Sequence, residues 1–216
     1  MHALSFVPDA ATMLAYTLAC IVLFVTPGPD MSFTLAKTLA GGRIAGFAAT
    51  LGAATGCIVH SLLAAVGVSA LIAASPMAFL GLKIAGASYL LWLAVDAVRR
   101  GSALSIMITG GEKPRFWRTL LQGLSVNLSN PKIILFFVTF LPQFIAADDA
   151  SAAGKLFFLG AYFVVFCLPF SILMVLAAER MVTKLKANPR AMRAIDWIFA
   201  GVFGAFAAKI LVTQVR

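Results

Sequence analysis

Uncharged or nearly uncharged apolar runs of about 20 residues, the length of a transmembrane helix, recur along the whole chain. Such a run spans the ~30 Å hydrocarbon core of a bilayer, because each helical residue adds about 1.5 Å. Of the 216 residues, 62% are hydrophobic and 12% are charged, which is typical of a polytopic membrane protein. The sequence therefore predicts one all-α membrane domain over residues 1–216.

Six spans follow from these runs, and two of them are too long for the bilayer. Residues 10–40 would form a straight helix of roughly 46 Å, and residues 116–145 are overlong in the same way. The four spans of ordinary length cover residues 44–66, 77–98, 156–178 and 194–212. Because no basic region or small-residue cleavage site accompanies the first run, we expect it to stay as a span and not to be removed as a signal peptide.

Each overlong span is interrupted near its centre by proline and polar residues. The first contains VTPGPD, residues 25–30, and the fourth contains VNLSNPK, residues 126–132. Proline removes backbone hydrogen bonds and glycine permits other backbone geometry, so both stretches are predicted to break their helices. Pro29 and Pro131 lie about half the chain apart, so each half opens with one broken helix and continues with two ordinary spans.

An odd number of spans in each half makes the second half enter the membrane from the opposite side. The predicted architecture is six transmembrane helices in two inverted three-helix repeats, about residues 1–105 and 112–216. In secondary transporters, paired broken helices of this kind mark the substrate site near the midplane. Basic residues concentrate in the loops after spans one, three and five, so we expect these loops in the cytoplasm and both termini outside.

The candidate substrate and proton site consists of the two interruptions: Pro27, Gly28, Pro29, Asp30, Asn127, Asn130, Pro131 and Lys132. The half-helix beginning near Pro29 directs free N–H groups into the gap, where an amino acid carboxylate fits. Asp30 either meets an ammonium group or a proton, as intramembrane charges commonly do, or only caps this half-helix. Lys132 either binds substrate, neutralises Asp30 or caps a carbonyl.

Two further polar side chains lie inside predicted spans. His60, in the second span, is a candidate proton relay or an interhelical hydrogen-bond residue. Lys83, in the third span, either snorkels to the outer interface or pairs with an acid. Small-residue stripes at 52–56 and 200–208 permit close helix contact, either within the bundle or in a homodimer.

Several other classes of function find little support in the residues. Cys20, Cys57 and Cys167 lie in separate apolar segments without metal-ligand spacing, so we expect buried thiols, no bound metal and no cofactor. The net charge of +9 comes from short loops, which indicates topology and not nucleic-acid binding. A thiol oxidoreductase would need two cysteines that meet, and no nucleophile–base pair stands out elsewhere, so we do not expect an enzyme. The alternative function is a metal-ion exporter on a related scaffold, which would need converging carboxylates, histidines or thiolates.

Both interrupted segments resemble signatures of the LysE/RhtB family of amino acid exporters. The residues that match are Pro27-Gly28-Pro29-Asp30, Gly42-Arg43, Ala45-Gly46, Phe116, Gly123, Asn127, Asn130-Pro131-Lys132, Phe136-Phe137 and Pro142-Gln143-Phe144. Residues 82–99 also look like the third span of this family, so the resemblance covers nearly the whole chain.

The resemblance implies export of amino acids or their derivatives across the bacterial cytoplasmic membrane, driven by proton antiport with alternating access. Known members export basic amino acids, homoserine or threonine, leucine, or cysteine-like compounds. The signature is shared among these members, so it does not select one substrate.

Overall fold

The computed structural model describes residues 6–100, 115–146, 149–180, 183 and 188–214, and every regular element among them is helical. The linker with Gly110-Gly111, where the sequence divides the repeats, lies outside these residues. We number the α-helices in chain order: α1 (Ala10–Val25), α2 (Pro29–Leu63), α3 (Ser69–Ala74), α4 (Pro76–Arg100), α5 (Phe116–Leu128), α6 (Pro131–Leu135), α7 (Ala152–Leu176) and α8 (Pro189–Gln214).

Helix α1 begins and ends where its local chemistry requires. Asp9 caps its start, and Oδ1 of this residue accepts hydrogen bonds of 3.0 Å from the N–H groups of Ala11 and Thr12. At the other end, Thr26 has extended backbone angles, because a residue before proline is pushed out of the helical region. Helix α2 then begins at Pro29, whose fixed φ and missing N–H suit the first helical position.

Helix α2 contains a kink at Gly42, which divides it into an amino-terminal arm, 29–41, and a carboxy-terminal arm, 43–63. Gly42 has φ 74° and ψ −177°, a combination that is essentially restricted to glycine. The same point separates the first and second spans predicted from the sequence. Beyond Leu63 the chain continues through a π-helical turn, Ala64–Val68, into α3.

The second interruption separates α5 from α6. Asn130 is extended, as expected before a proline, and its Oδ1 accepts the N–H of Lys132 at 3.1 Å, which caps α6. Helix α6 continues into a π-helical turn, Phe136–Phe140, and a 3₁₀ turn, Leu141–Phe144. The helical segments Phe116–Leu128 and Pro131–Phe144 are bent by 54° relative to each other.

By length and composition, two continuous helical segments of the described chain could cross a membrane, Pro29–Leu71 and Ala152–Leu176. The bent pair around the second interruption counts as a third span if it is taken as one crossing. The arrangement of six spans in two inverted repeats stays a prediction. Large apolar side chains point outward along the bundle, among them Leu14 (64% exposed) and Val165 (71% exposed), as expected for contact with lipid.

Helices α2 and α5 pack closely because glycines line their contact. A Cβ atom on Gly52 would lie 2.1 Å from the carbonyl oxygen of Leu120, and one on Gly123 would lie 2.6 Å from that of Ala49. The small-residue stripe at 52–56 therefore packs the bundle itself.

In the second stripe, Gly204 has open space around it, so the homodimer prediction stays open.

The buried apolar residues form two clusters of unequal size. The larger one is rich in aromatic side chains and is built from α1, the segment after the second interruption and α7; its fully buried members include Tyr16, Phe136 and Phe140. The smaller one contains Met31, Leu35, Met174 and Ala178, from α2 and the region of α7.

Candidate functional site

The two interruptions contact each other directly through their polar side chains. Oδ2 of Asp30 accepts one hydrogen bond from Nδ2 of Asn127 and one from Nδ2 of Asn130, each at 2.9 Å. In the opposite direction, Nζ of Lys132 donates to the carbonyl oxygens of Leu23 at 3.1 Å and Thr26 at 2.8 Å. Each interruption therefore supplies one charged side chain that reaches across to the other.

Lys132 caps the end of α1. The carbonyl groups of the last helical turn lack partners within the helix, and the ammonium group supplies two of the missing donors. Gly28 leaves room for this arrangement, because a Cβ atom there would lie 3.2 Å from Nζ of Lys132. In the described part of the chain, Lys132 and Asp30 form no direct ion pair. Lys132 is therefore a carbonyl cap that keeps one ammonium N–H uncommitted.

Asp30 does not act as the cap of α2. The N-cap position is Gly28, and both hydrogen bonds of the Asp30 carboxylate go to asparagines of the other interruption. Its second oxygen, Oδ1, is buried and has no hydrogen-bond partner. An unpaired buried carboxylate oxygen costs free energy, on the order of 1–3 kcal/mol, so this atom is a strong candidate contact for a ligand.

Asn127 is held in place by residues that the sequence reading did not assign to the site. A Cβ atom on Gly56 would lie 2.3 Å from Oδ1 of Asn127, so the asparagine occupies the space that this glycine leaves. Nδ2 of Asn127 also lies 3.5 Å from Sγ of Cys57. The signal for Gly56 was its place in the small-residue stripe, but only the fold shows which side chain it accommodates.

A cavity of about 110 Å³ opens beside these groups. Because each water molecule takes up about 30 Å³ in the liquid, the cavity is large enough for several water molecules or for part of a small solute. Of the predicted site residues, Gly28, Asp30, Asn127, Asn130 and Lys132 line the cavity. The three prolines, Pro27, Pro29 and Pro131, do not line it and instead interrupt the helices around it.

His60 and Lys83 lie outside this cavity lining. His60 is 7% exposed, stacks on Phe137 with 5.7 Å between ring centroids, and has a buried Nε2 without a hydrogen-bond partner. Lys83 is buried, lies 4.7 Å above the Phe79 ring, and donates to the carbonyl oxygen of Ile145 at 3.4 Å. Lys83 thus forms no ion pair with any described acid, while snorkelling of Lys83 and the two alternatives for His60 stay open.

The three cysteines are free and buried, and Cys57 and Cys167 both line the cavity. Among the residues that the structure describes, no group of three or more His, Cys, Asp or Glu side chains could hold a metal ion.

Comparison with known proteins identifies related chains. The family profile described as LysE type translocator matches residues 21–214. The homoserine/homoserine lactone efflux protein of Salmonella typhimurium is 31% identical over 88% of this chain and 90% of its own length.

Two further relatives have a lower and a higher sequence identity to this chain. The leucine efflux protein of Klebsiella pneumoniae is 28% identical over 93% of this chain and 95% of its own length. An uncharacterized membrane protein of Pseudomonas aeruginosa is 37% identical over 60% of this chain and 62% of its own length. No solved structure matches the chain. The match over nearly the whole sequence means that this chain belongs to the LysE type translocator family.

Proposed function

We propose that this protein exports small amino acids or their close derivatives, which it binds as zwitterions between Asp30 and Lys132. The observation that carries the proposal is the buried, unpartnered Oδ1 of Asp30 beside a cavity that Lys132 also lines. A zwitterion carries an ammonium group and a carboxylate a short distance apart, so it complements two opposite charges that do not pair with each other. The names of two relatives, homoserine and leucine efflux proteins, support the same substrate class.

The proposed pose assigns each end of the solute to one side of the gap. The ammonium group meets Oδ1 of Asp30, because Oδ2 is already used by the two asparagines. The carboxylate accepts from the third N–H of Lys132 and from the start of α2, where the first helical hydrogen bond joins the Ser32 N–H to the Gly28 carbonyl. The N–H groups of Asp30 and Met31 precede that bond and are free for an anion.

Proton antiport follows from competition at one atom. Oδ1 of Asp30 accepts either the substrate ammonium group or a proton, and the cavity does not satisfy both at once. A proton that enters from outside therefore displaces the outgoing amino acid, and the carboxylate must lose that proton inside before it binds the next one. In this scheme Asn127 and Asn130 hold the carboxylate while its second oxygen exchanges partners.

Alternating access is proposed to use the two unequal apolar clusters as gates. Leu23 and Phe163 of the large aromatic cluster line the cavity, and so does Met174 of the small cluster. In this proposal the two clusters close the cavity on opposite sides. The basic residues in the loops predict that the small cluster lies on the cytoplasmic side of a bacterial inner membrane. Because the small cluster has fewer apolar contacts, less free energy is needed to separate its residues. We therefore propose that the described conformation is closer to an inward-open state than to an outward-open one.

The test is transport by purified protein in proteoliposomes with an imposed pH gradient. Vesicles are preloaded with radiolabelled homoserine, threonine, leucine, lysine or cysteine, and efflux is followed with and without the gradient. Asp30→Asn is expected to abolish gradient-driven efflux while the protein still inserts, whereas Asp149→Asn, in a loop, is expected to retain it. Efflux from Asp30→Asn at the wild-type rate contradicts the proposal. A strain that lacks the gene and is sensitive to metal ions, but not to amino acids, also contradicts it.

A further inference from the structure

A second buried polar atom on the cavity wall has no partner, the hydroxyl oxygen of Thr50. This residue lies on the carboxy-terminal arm of α2, is 7% exposed, and lines the same cavity as Asp30. Its Oγ1 is buried and makes no hydrogen bond. A buried hydroxyl without a partner is unusual in proteins and calls for a ligand or a bound water.

The free hydroxyl group of Thr50 differs from many helical hydroxyl groups in the part of the chain that the structure describes. Threonine and serine in helices commonly donate to the carbonyl four residues earlier. Thr26 does so to Val22 at 2.7 Å, Thr38 does so to Thr34 at 2.7 Å, and Ser171 does so to Cys167 at 3.0 Å. Thr50 instead leaves its donor uncommitted at the edge of the cavity.

The surroundings of Thr50 supply space and no protein partner. The next cavity-lining residues on its helix face, Ala53 and Ala54, are small and apolar. Asp30, Asn127 and Asn130 are joined to one another by the hydrogen bonds between the interruptions. The Thr50 hydroxyl group forms no hydrogen bond with any of these residues, so it is free for a partner that arrives with the solute.

We infer that Thr50 is a specificity-determining residue, whose hydroxyl group hydrogen-bonds a polar atom on the side chain of the exported amino acid. The inference rests on the proposed function, because it assumes that Asp30 and Lys132 hold the ammonium and carboxylate groups. A side chain that carries a hydroxyl group satisfies Thr50, and an aliphatic side chain of the same size leaves it unpaired. A site built for a hydrogen bond discriminates against the analogue that lacks it.

The sharpest test uses two solutes that differ in one group, L-homoserine and L-norvaline, in which a methyl group replaces the hydroxyl group. Their initial efflux rates at low concentration are compared in proteoliposomes that contain wild type, Thr50→Val or Thr50→Ser. Wild type is expected to prefer homoserine by about tenfold or more, the discrimination typical of one lost buried hydrogen bond. Thr50→Val keeps the shape of the side chain without its hydroxyl group and is expected to bring the two rates within about twofold. Thr50→Ser is expected to keep the preference.

Thr55→Val is the matched control. Thr55 lies on the same arm of α2, but its hydroxyl group already donates to the carbonyl oxygen of Leu51 at 2.8 Å and it does not line the cavity. This variant is expected to keep the wild-type preference. If Thr50→Val cannot be recovered from membranes, Thr50→Ala takes its place with the same expected loss of discrimination.

Thermal unfolding in detergent separates a specificity role from a structural one. Removal of an unpartnered hydroxyl group leaves the Tm of Thr50→Val equal to or above that of wild type, and homoserine then raises the Tm of wild type more than that of the variant. A lower Tm in the variant together with an unchanged homoserine-to-norvaline ratio assigns Thr50 to packing and overturns the inference.

The two proposals fail in different ways. If Asp30→Asn abolishes efflux but Thr50→Val keeps the homoserine preference, the Thr50 inference is wrong and the proposed function stands. If wild type handles homoserine and norvaline equally, the inference is also wrong. If wild type moves no amino acid at all, the proposed function fails, and the role of Thr50 fails with it.

Discussion

Asn130 donates a hydrogen bond of 2.9 Å from Nδ2 to Oδ2 of Asp30, and so joins the second helical interruption to the first. The same residue accepts the backbone N–H of Lys132 through Oδ1, which caps α6. One asparagine therefore connects the start of a half-helix in its own interruption to the carboxylate of the other. This double use makes the geometry of the two interruptions interdependent.

Lys132→Met is expected to reduce both stability and transport. The change leaves the carbonyl oxygens of Leu23 and Thr26 without their donor and removes the proposed partner of the substrate carboxylate. Each unpaired buried carbonyl costs about 1–3 kcal/mol. We expect a lower Tm in detergent and a loss of efflux in proteoliposomes of at least about 100-fold, since a charge-assisted contact is worth more than a neutral one.

Lys155→Met is the control for this change. Lys155 pairs with Asp149 near the surface, and surface ion pairs contribute little, about 0–1 kcal/mol. If Lys132→Met lowers the Tm but keeps the wild-type rate of efflux, Lys132 only caps α1 and does not bind the substrate.

Gly56→Ala is expected to impair transport through Asn127. The new methyl group would lie 2.3 Å from Oδ1 of Asn127, so the asparagine must move and its bond to Asp30 is lost. We expect a fall in efflux of about tenfold or more, the value of one charge-assisted hydrogen bond. Gly81→Ala, at a helical position with open space around it, is expected to leave efflux unchanged.

A double-mutant cycle decides whether Gly56 acts through Asn127. If it does, Gly56→Ala adds little to the defect of Asn127→Ala, because the contact is already absent. Fully additive losses would show that the glycine affects the transporter by another route.

Gly42→Ala is expected to destabilise the protein without any steric clash. No atom lies within 4 Å of the position that a Cβ would occupy, so the cost comes from the backbone angles alone. A non-glycine residue in this region costs about 1–3 kcal/mol. The Tm of Gly42→Ala should therefore fall, whereas that of Gly81→Ala should rise slightly, since alanine favours helix. An unchanged Tm for Gly42→Ala would mean that the kink at residue 42 relaxes freely.

Acid sensitivity is expected in the loop before α7. The hydrogen bond from Lys155 lowers the pKa of the Asp149 carboxyl group below its ordinary value of 3.8. A lowered pKa in the folded state means that the contribution to stability is present above pH 3.8 and is lost as pH falls through the folded pKa. The difference in Tm between wild type and Asp149→Asn should therefore be small but measurable near neutral pH and should shrink below pH 3.8. A difference that grows in acid would assign the stabilisation to another group.

Local chemistry accounts for the features that could be predicted from the sequence. A residue before proline leaves the helical region wherever the chain goes, and this makes Thr26 the C-cap of α1 and Asn130 the N-cap of α6. The same reasoning selected Asp30, Asn127, Asn130 and Lys132 as candidates, because intramembrane polar groups need partners. The LysE/RhtB resemblance was also available from the order of residues and is confirmed by the family match.

Partner choice could be decided only by the tertiary structure, because it depends on distances between residues far apart in the chain. The sequence left three roles open for Lys132 and two for Asp30. The fold directs the lysine to the carbonyl groups of α1 and the carboxylate to two asparagines. The contact of Gly56 with Asn127, and the lack of a hydrogen-bond partner for Thr50, could not be inferred from the order of residues. The sequence by itself thus determined where the helices break and which polar groups lie there, while packing of α2 against α5 decided which of those groups stay free for a solute.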